Sequence, residues 1–379
     1  MTGPILIGSE IYRGSTYGGK HPLAIPRVSA MLDLVAAMGW RDPACYRESP
    51  QASVEQLQRF HTPEYIAALA EAERTQQVSE AVRRRHRLGT DGNPIYREMF
   101  RRPATGAGAA LLAAALTATG GVVYAPGAGT HHGRPDHAAG FCYLNDCVLG
   151  LLAWLDQGLT RVLYVDIDAH HGDAVQDAFA GDARVFTLSV HEAGRWPGTG
   201  AEEDTAGGTA ANLPVPEGFH DGEFAALLAE AILPIAEAFR PQAILLQCGA
   251  DALAEDPLSR LALSNAAHRA AVRALRPLAP RFVVTGGGGY NPWAVARCWA
   301  GVWAELSGQE IPDRLPPAAE AVLRGLSWHR AAGRHPPAAW FTTLADPPAP
   351  PRPVRPEVLA LGRRVAARAL AALGRAGGG

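Results

Sequence analysis

Val162-Leu163-Tyr164-Val165 runs straight into Asp166-Ile167-Asp168-Ala169-His170-His171-Gly172-Asp173. The four apolar residues read as a strand buried on both faces, the pattern of a parallel sheet. The eight that follow carry three carboxylates and two imidazoles. They sit at the strand's carboxyl end, where open α/β sheets bind their ligands. Charges this dense beside a buried strand are costly unless a metal or hydrogen-bonded pairs compensate them. A divalent cation is the simplest compensation.

Working outward, similar apolar runs predict strands at 121–124, 185–189, 243–247 and 282–285. Ala/Leu-rich stretches at 104–119, 147–157, 221–238, 264–275 and 293–306 predict helices between them. This alternation specifies an α/β chain whose parallel sheet is covered by helices on both faces. Polar or glycine-rich clusters follow every one of these strands. They are Pro126 to His132, Asp166 to Asp173, His191 to Gly200, Gly249-Ala250-Asp251 and Gly286 to Tyr290. Strand ends that converge on one rim predict a site.

The 379 residues suffice for a large core, and 47% hydrophobic with 19% charged residues is ordinary for a globular chain. A formal charge of −2 carries no polyelectrolyte signature, so neither direct nucleic-acid nor membrane binding is expected. The basic run Arg83-Arg84-Arg85-His86-Arg87 reads as a solvated helix face or end. No apolar stretch is long enough to span a bilayer, and Met1 to Ile11 lacks a signal-peptide pattern. Cys45, Cys142, Cys147, Cys248 and Cys298 are odd in number and without C-x-x-C spacing, as for reduced thiols in a cytoplasm. From about Pro312 proline pairs appear, followed by a helical stretch at 357–373 and Gly377 to Gly379. Leu359, Val365, Leu370 and Leu373 are expected to form its apolar stripe, packing on the main domain or on a partner subunit. Homo-oligomerisation is left open.

Asp168 and His170 lie two apart at a strand end, so both can point to one side. Asp251, ending another strand, can supply a third ligand. Two carboxylates and an imidazole leave an open position, as a catalytic Zn²⁺ requires, and such a site also suits Fe²⁺ or Co²⁺ in the cell. Asp166 and Asp173 remain for His131 and His132, each able to bind one Nδ1 and raise the basicity of the ring. Tyr290, after four glycines, can donate to a developing oxyanion. These parts describe hydrolysis of an amide or a related carbonyl compound.

The chain resembles the histone deacetylase superfamily, in particular its bacterial acetoin-utilisation-type members near the class I branch. The motifs are Gly-Thr-His-His at 129–132, Gly-Phe-Cys-Tyr-Leu-Asn-Asp at 140–146, the 166–173 run, Gly-Ala-Asp at 249–251 and Gly-Gly-Gly-Gly-Tyr at 286–290. The match runs from about Ile11 to Leu306. The resemblance implies an arginase/deacetylase fold: a single large catalytic domain, 1–315, whose parallel sheet has about eight strands, plus a proline-rich C-terminal extension, 316–379, ending in a helix.

It further implies that Asp168, His170 and Asp251 hold Zn²⁺, that His132 is the principal base and acid with Asp173 behind it, and that His131 with Asp166 is its electrostatic partner. Tyr290 would bind the substrate carbonyl. Gly140, Phe141, Trp196, Leu258 and Gly288 would line a tunnel for acylated lysine, with the aliphatic stem between Phe141 and Trp196. Asp91 would grip the backbone of peptide or protein substrates. Arg27 would line an inner channel. Structural K⁺ or Na⁺ would sit at Asp166, Asp168, His170, Ser189 and Val190, and again near Phe179, Asp182, Val185 and Thr209. His171 is read as structural.

Three other readings compete. A two-metal ureohydrolase needs bridging carboxylates, but Leu253 and His171 stand where they would be. An acetylpolyamine amidohydrolase would leave Asp91 idle. A catalytically dead binding module would be expected to lack one of these groups, and none is missing.

Overall fold

The computed structural model describes residues 3–19, 21–348 and 350–376; Gly377 to Gly379 lie outside them. An eight-stranded, all-parallel sheet forms the centre. Its strands are β1 (Ile5–Gly8), β2 (Tyr46–Glu48), β3 (Gly121–Ala125), β4 (Val162–Asp166), β5 (Val185–Glu192), β6 (Ala210–Val215), β7 (Ala243–Gln247) and β8 (Arg281–Thr285). Their order across the sheet is β2-β1-β3-β8-β7-β4-β5-β6.

The five strands expected from apolar runs are the five contiguous ones from β3 to β5. Every residue of β4, β5 and β7 is buried; β4 and β7 are therefore apolar up to their last residue, while β5 alternates Thr187, Ser189 and His191 with apolar neighbours. The strands not expected lie to either side of this block. Tyr46–Glu48 is short and partly polar because it pairs on one side only. Ala210–Val215 contains Pro214, which an edge strand tolerates. Ile5–Gly8 is too short to stand out as a pattern.

The helices follow the expected stretches with local differences. Arg101–Leu116 starts before Ala104 because Pro103 fits the first helical turn, where its missing N–H is not needed. The stretch from Asp221 is broken: Asp221–Leu227 and Leu233–Phe239 flank a π-helical turn, Leu228–Ile232. Pro234 has no N–H to give the preceding turn, and the ladder widens there.

The tail packs on the main body. Leu315, Ala319, Leu323, Trp328, Trp340, Leu344, Val358, Leu361 and Val365 share one buried core with Leu163, Leu246 and Trp303. The last helix, Pro356–Ala376, presents Val358, Leu361, Val365 and Ala369 to that core. The stripe is thus offset from the expected one. Leu370 is exposed, because the helix is fixed by the register of Val358, Leu361 and Val365 against the body.

Candidate active site

All four principal clusters leave the carboxyl ends of adjacent central strands, β3, β8, β7 and β4, and β5 adds the loop that carries Trp196. The loop after β3 is shaped by the 140–146 motif. Asp146 accepts the backbone N–H of Gly129 (2.7 Å) and Thr130 (3.0 Å). Asn145 donates to the carbonyls of His131 (3.3 Å) and Gly133 (3.1 Å) while its Oδ1 caps the helix Asp146–Asp156. These contacts aim the two histidines at the end of β4.

His131 Nδ1 lies 2.7 Å from Asp166, and His132 Nδ1 lies 2.8 Å from Asp173. Asp166 also accepts the Tyr164 hydroxyl (2.6 Å), and Asp173 accepts Arg134 (2.5 Å). Similar pairs lead to opposite protonation. Burial and the adjacent His131 push the His132 pKa down to about 3. Burial also opposes charge on His131, yet Asp166 and Asp168 outweigh it and lift its pKa to about 9. Burial alone would raise Asp173, but its bond to His132 and the charge of Arg134 bring it down to about 2.

Asp168, His170 and Asp251 converge, with one donor atom from each lying within 4.8 Å of the others. His170 Nδ1 is 3.2 Å from Asp168 and 3.0 Å from Asp251. Ligand atoms placed about 2.0–2.2 Å from a common Zn²⁺ have separations of this order. The remaining lone pairs are occupied from outside the cluster. Asp168 accepts Gly288 N–H (2.8 Å) and the Gln247 carboxamide (2.9 Å), and Asp251 accepts Ala169 N–H (2.9 Å).

Glycine is required at 249 and 288. A Cβ there would lie 2.0 Å from the Asp168 and Asp251 carboxylates respectively. Electrostatics also favours a cation: burial and Asp168 raise the Asp251 pKa to about 6, and no arginine among the described residues pairs with either carboxylate. Burial disfavours charge on His170, but Asp251 and Asp168 together pull its pKa far up, so the centre draws positive charge. A divalent cation fits this set of donors.

A cavity of about 410 Å³ leads to these groups, lined by Gly92, His132, Gly140, Phe141, His170, Arg195, Trp196, Leu258 and Tyr290. Phe141 meets Tyr290 edge-on at 5.7 Å between ring centroids. Trp196 leans over His132 at 4.6 Å and lies so close to Gly140 that a Cβ there would be 2.3 Å from its ring. Burial and the Asp251 and Asp168 charges keep the Tyr290 phenol protonated, as a donor. Asp256 joins two walls of the cavity, accepting the N–H of Leu258 (2.8 Å) and of Tyr290 (2.6 Å).

The other expected residues fall around this cavity. Asp91 is exposed beside it, bordering a neighbouring cleft with Tyr17, His21 and Pro94, while the adjacent Gly92 forms part of the cavity wall. Arg27 lies beneath, in a small inner cavity of about 50 Å³ with Tyr17, Cys142 and Gly287, and donates to the Gly287 carbonyl at 2.6 Å. Ser189 pairs with Asp166 across β4 and β5, next to Val190. Thr209 donates to the Phe179 carbonyl at 3.3 Å, and Asp182 and Val185 complete the same loop. His171 bonds Thr199 (2.8 Å) and Gln176 (3.1 Å), away from the metal donors.

Sequence reasoning missed Gln247, Asp256 and Arg134, and assigned no role to Asn145 or Asp146. Gln247 was detectable only as an amide closing an otherwise apolar strand.

A family model described as the histone deacetylase domain matches residues 21–306. Among curated proteins, Histone deacetylase 3 of Oryza sativa subsp. japonica is 36% identical over 311 residues, covering 79% of this chain and 60% of that protein. Histone deacetylase 6 of Arabidopsis thaliana is 35% identical over 310 residues, covering 79% and 65%. The chain thus spans less than two thirds of the length of these relatives. The crystal structure of an HDAC homologue from Aquifex aeolicus aligns with a TM-score of 0.91 at 36% identity, covering 96% of this chain and 100% of that one. An HDAC homologue complexed with SAHA aligns equally well. Coverage of 96% carries the match past Leu315, into the tail that the motifs leave unmatched. From the motifs, the site they build and this similarity along most of its length, the chain belongs to the histone deacetylase family.

Proposed function

We propose that the chain is a zinc-dependent amidohydrolase that removes acetyl or related short acyl groups from lysine side chains of peptides or proteins. One observation carries this reading: a neutral, carboxylate-backed His132 and the Tyr290 phenol line the same cavity as His170, a member of a three-donor cation site. Asp168, His170 and Asp251 would hold the ion. Zinc there supplies Lewis acidity, polarising a carbonyl and acidifying water.

The protein groups do the rest. His132 accepts the proton of the attacking water at Nε2 while its Nδ1–H stays on Asp173. Tyr290 donates to the carbonyl oxygen as negative charge develops. His131 holds positive charge beside the reacting carbon, with Asp166 as its counter-ion. His132 then returns its proton to the leaving amine. Phe141, Trp196 and Leu258 surround the aliphatic stem and exclude water. Asp91 at the rim would hold a peptide backbone, which favours peptide substrates over small acetylated amines. Ser189 and Val190, and the loop at Phe179, Asp182, Val185 and Thr209, are proposed K⁺ or Na⁺ positions.

The motifs support placing the chain in the acetoin-utilisation-type branch, and five cysteines without C-x-x-C spacing support a cytoplasmic location. The test is a panel of acetyl-, lactyl-, butyryl- and longer acyl-lysine peptides with acetylated polyamines. Turnover of short acyl-lysine peptides supports the assignment; turnover of polyamines alone would replace it with the small-amine activity.

A further inference from the structure

Beside the catalytic cavity lies a second cleft, of about 590 Å³, that the reaction itself does not use. Tyr17, His21, Pro22, Asp91, Pro94 and Ile95 line it. A thin aromatic wall divides it from the cavity. Phe141, on the cavity side, meets His21, on the cleft side, edge-on with ring centroids 4.5 Å apart. Tyr17 braces this wall, stacking on His21 at 5.0 Å and donating its hydroxyl to the Phe141 carbonyl at 3.2 Å. At the rim, consecutive residues border the two spaces, Asp91 the cleft and Gly92 the cavity.

The cleft is formed in advance of any ligand. Gly89 N–H bonds the Asn93 carbonyl at 2.8 Å and Asn93 N–H bonds the Thr90 carbonyl at 3.1 Å, closing the loop that carries Asp91. The Tyr143 hydroxyl donates to the Pro94 carbonyl just beyond it. His21 Nδ1 accepts Leu23 N–H at 3.1 Å, so Nε2 carries the proton and donates to the Gly92 carbonyl at 3.4 Å. Burial pushes the His21 pKa down, so the ring is neutral. With both nitrogens engaged, it offers the cleft no free donor or acceptor. Pro22, Pro94 and Ile95 are apolar and half-buried, and among the described residues Asp91 is the one charged group on the border. The far end is open: His21 and Pro22 also line a further cleft, of about 280 Å³, that reaches Trp328 of the tail.

We infer that this cleft receives a large apolar side chain two positions from the acylated lysine of a polypeptide substrate. The inference rests on the deacylase reading and narrows its substrate class. The proposed grip of Asp91 on the peptide backbone sets the chain over the boundary between the two spaces. In an extended segment, side chains two positions apart point to the same face and lie about 6–7 Å from each other. With the lysine in the cavity, the other side chain descends on the far side of the Phe141–His21 wall. The open end lets the polypeptide run on toward the tail.

The experiment measures steady-state hydrolysis of acetyl-lysine peptides that share a core and carry phenylalanine, serine or aspartate two positions before or two positions after the lysine. Wild type is compared with Ile95→Glu and, on the other loop, Pro22→Asp. Phenylalanine at one of the two positions is expected to lower KM about tenfold relative to serine, with kcat unchanged, as for burial of much of an aromatic side chain. The gain should vanish in each variant. Equal KM values for phenylalanine and serine at both positions, or a phenylalanine preference that survives in either variant, would overturn the inference. Hydrolysis of an unflanked acetyl-lysine amide should be equal in all three proteins, which checks that the variants fold. Its absence in the wild type, together with no turnover of the peptides, would sink the deacylase reading instead. Fluorescence anisotropy of the same peptides, labelled, then decides the cleft by the same comparison of affinities.

Discussion

The rim and the tail bury carboxylates in opposite ways. Where the tail meets the body, Glu223 of the body is fully buried but meets Arg355 of the tail at 2.6 Å, and Asp346 of the tail meets Arg297 of the body at 2.7 Å. Each buried acid there has an arginine of its own. At the rim, Asp168 and Asp251 are equally buried and, among the described residues, have no arginine: His170 lies between them, and His131 Nε2 stands 3.9 Å from Asp168. A buried charge with a partner holds the structure together; a buried charge left open calls for a ligand. Glycines 249 and 288 reinforce the difference, since their missing side chains let backbone press against the acids and leave no room for a protein cation.

The largest effect should come from removing a rim acid. Asp251→Ala is expected to empty the metal position and bring hydrolysis to background, with the fold intact by circular dichroism. Retained metal and turnover would mean that Asp251 is merely another paired acid. Tyr290→Phe should lower kcat by about 10²–10³, the cost of one lost oxyanion donor, with little change in metal content. A kcat within twofold of wild type would take Tyr290 out of the reaction.

The tail should answer differently. Glu223→Ala leaves Arg355 without its counter-ion and should lower stability by on the order of 3 kcal/mol in urea, with kcat unchanged at a temperature where the variant is folded. Loss of kcat with no loss of stability would erase the contrast between the two regions.

A smaller, pH-dependent effect is expected from His61, beneath the site. Its Nδ1 donates to the Arg134 carbonyl (3.0 Å) and its Nε2 accepts Asn145 N–H (3.0 Å), so only the neutral ring fits. Burial takes its pKa down to about 4, below the unfolded value of 6.5. The unfolded chain therefore binds the proton first. The stability that His61 contributes is present above pH 6.5 and is lost as pH falls toward 4, by about 3 kcal/mol. Across that window the unfolding free energy of wild type should fall by this amount more than that of His61→Gln; parallel curves would show that His61 is not the group held neutral.

The same contrast explains what could be read in the sequence. The central strands stand out because burial on both faces makes β4 and β7 apolar throughout and the others largely so, and their polar ends mark the rim. Tyr46–Glu48 is largely exposed, and Ala210–Val215, although buried, is interrupted by Asn212 and Pro214, so neither carries such a pattern. Within the site, histidines and aspartates are conspicuous by charge. Gln247 is neutral, and its bond to the Gly129 carbonyl (3.2 Å) joins residues far apart in the chain, so nothing local announces it. The tail helix was legible as a helix but not in its rotation: Leu370 and Leu361 are equally apolar, and only contact with the body decides that Leu361 is inside.

The proposed hydrolysis depends on a single-metal centre built by Asp168, His170 and Asp251. The most direct measurement is titration of the chelator-stripped protein with Zn²⁺, following bound metal and hydrolysis of an acetyl-lysine peptide together. One equivalent should bind and restore full turnover. A requirement for two equivalents, or turnover that is complete without metal, would contradict it.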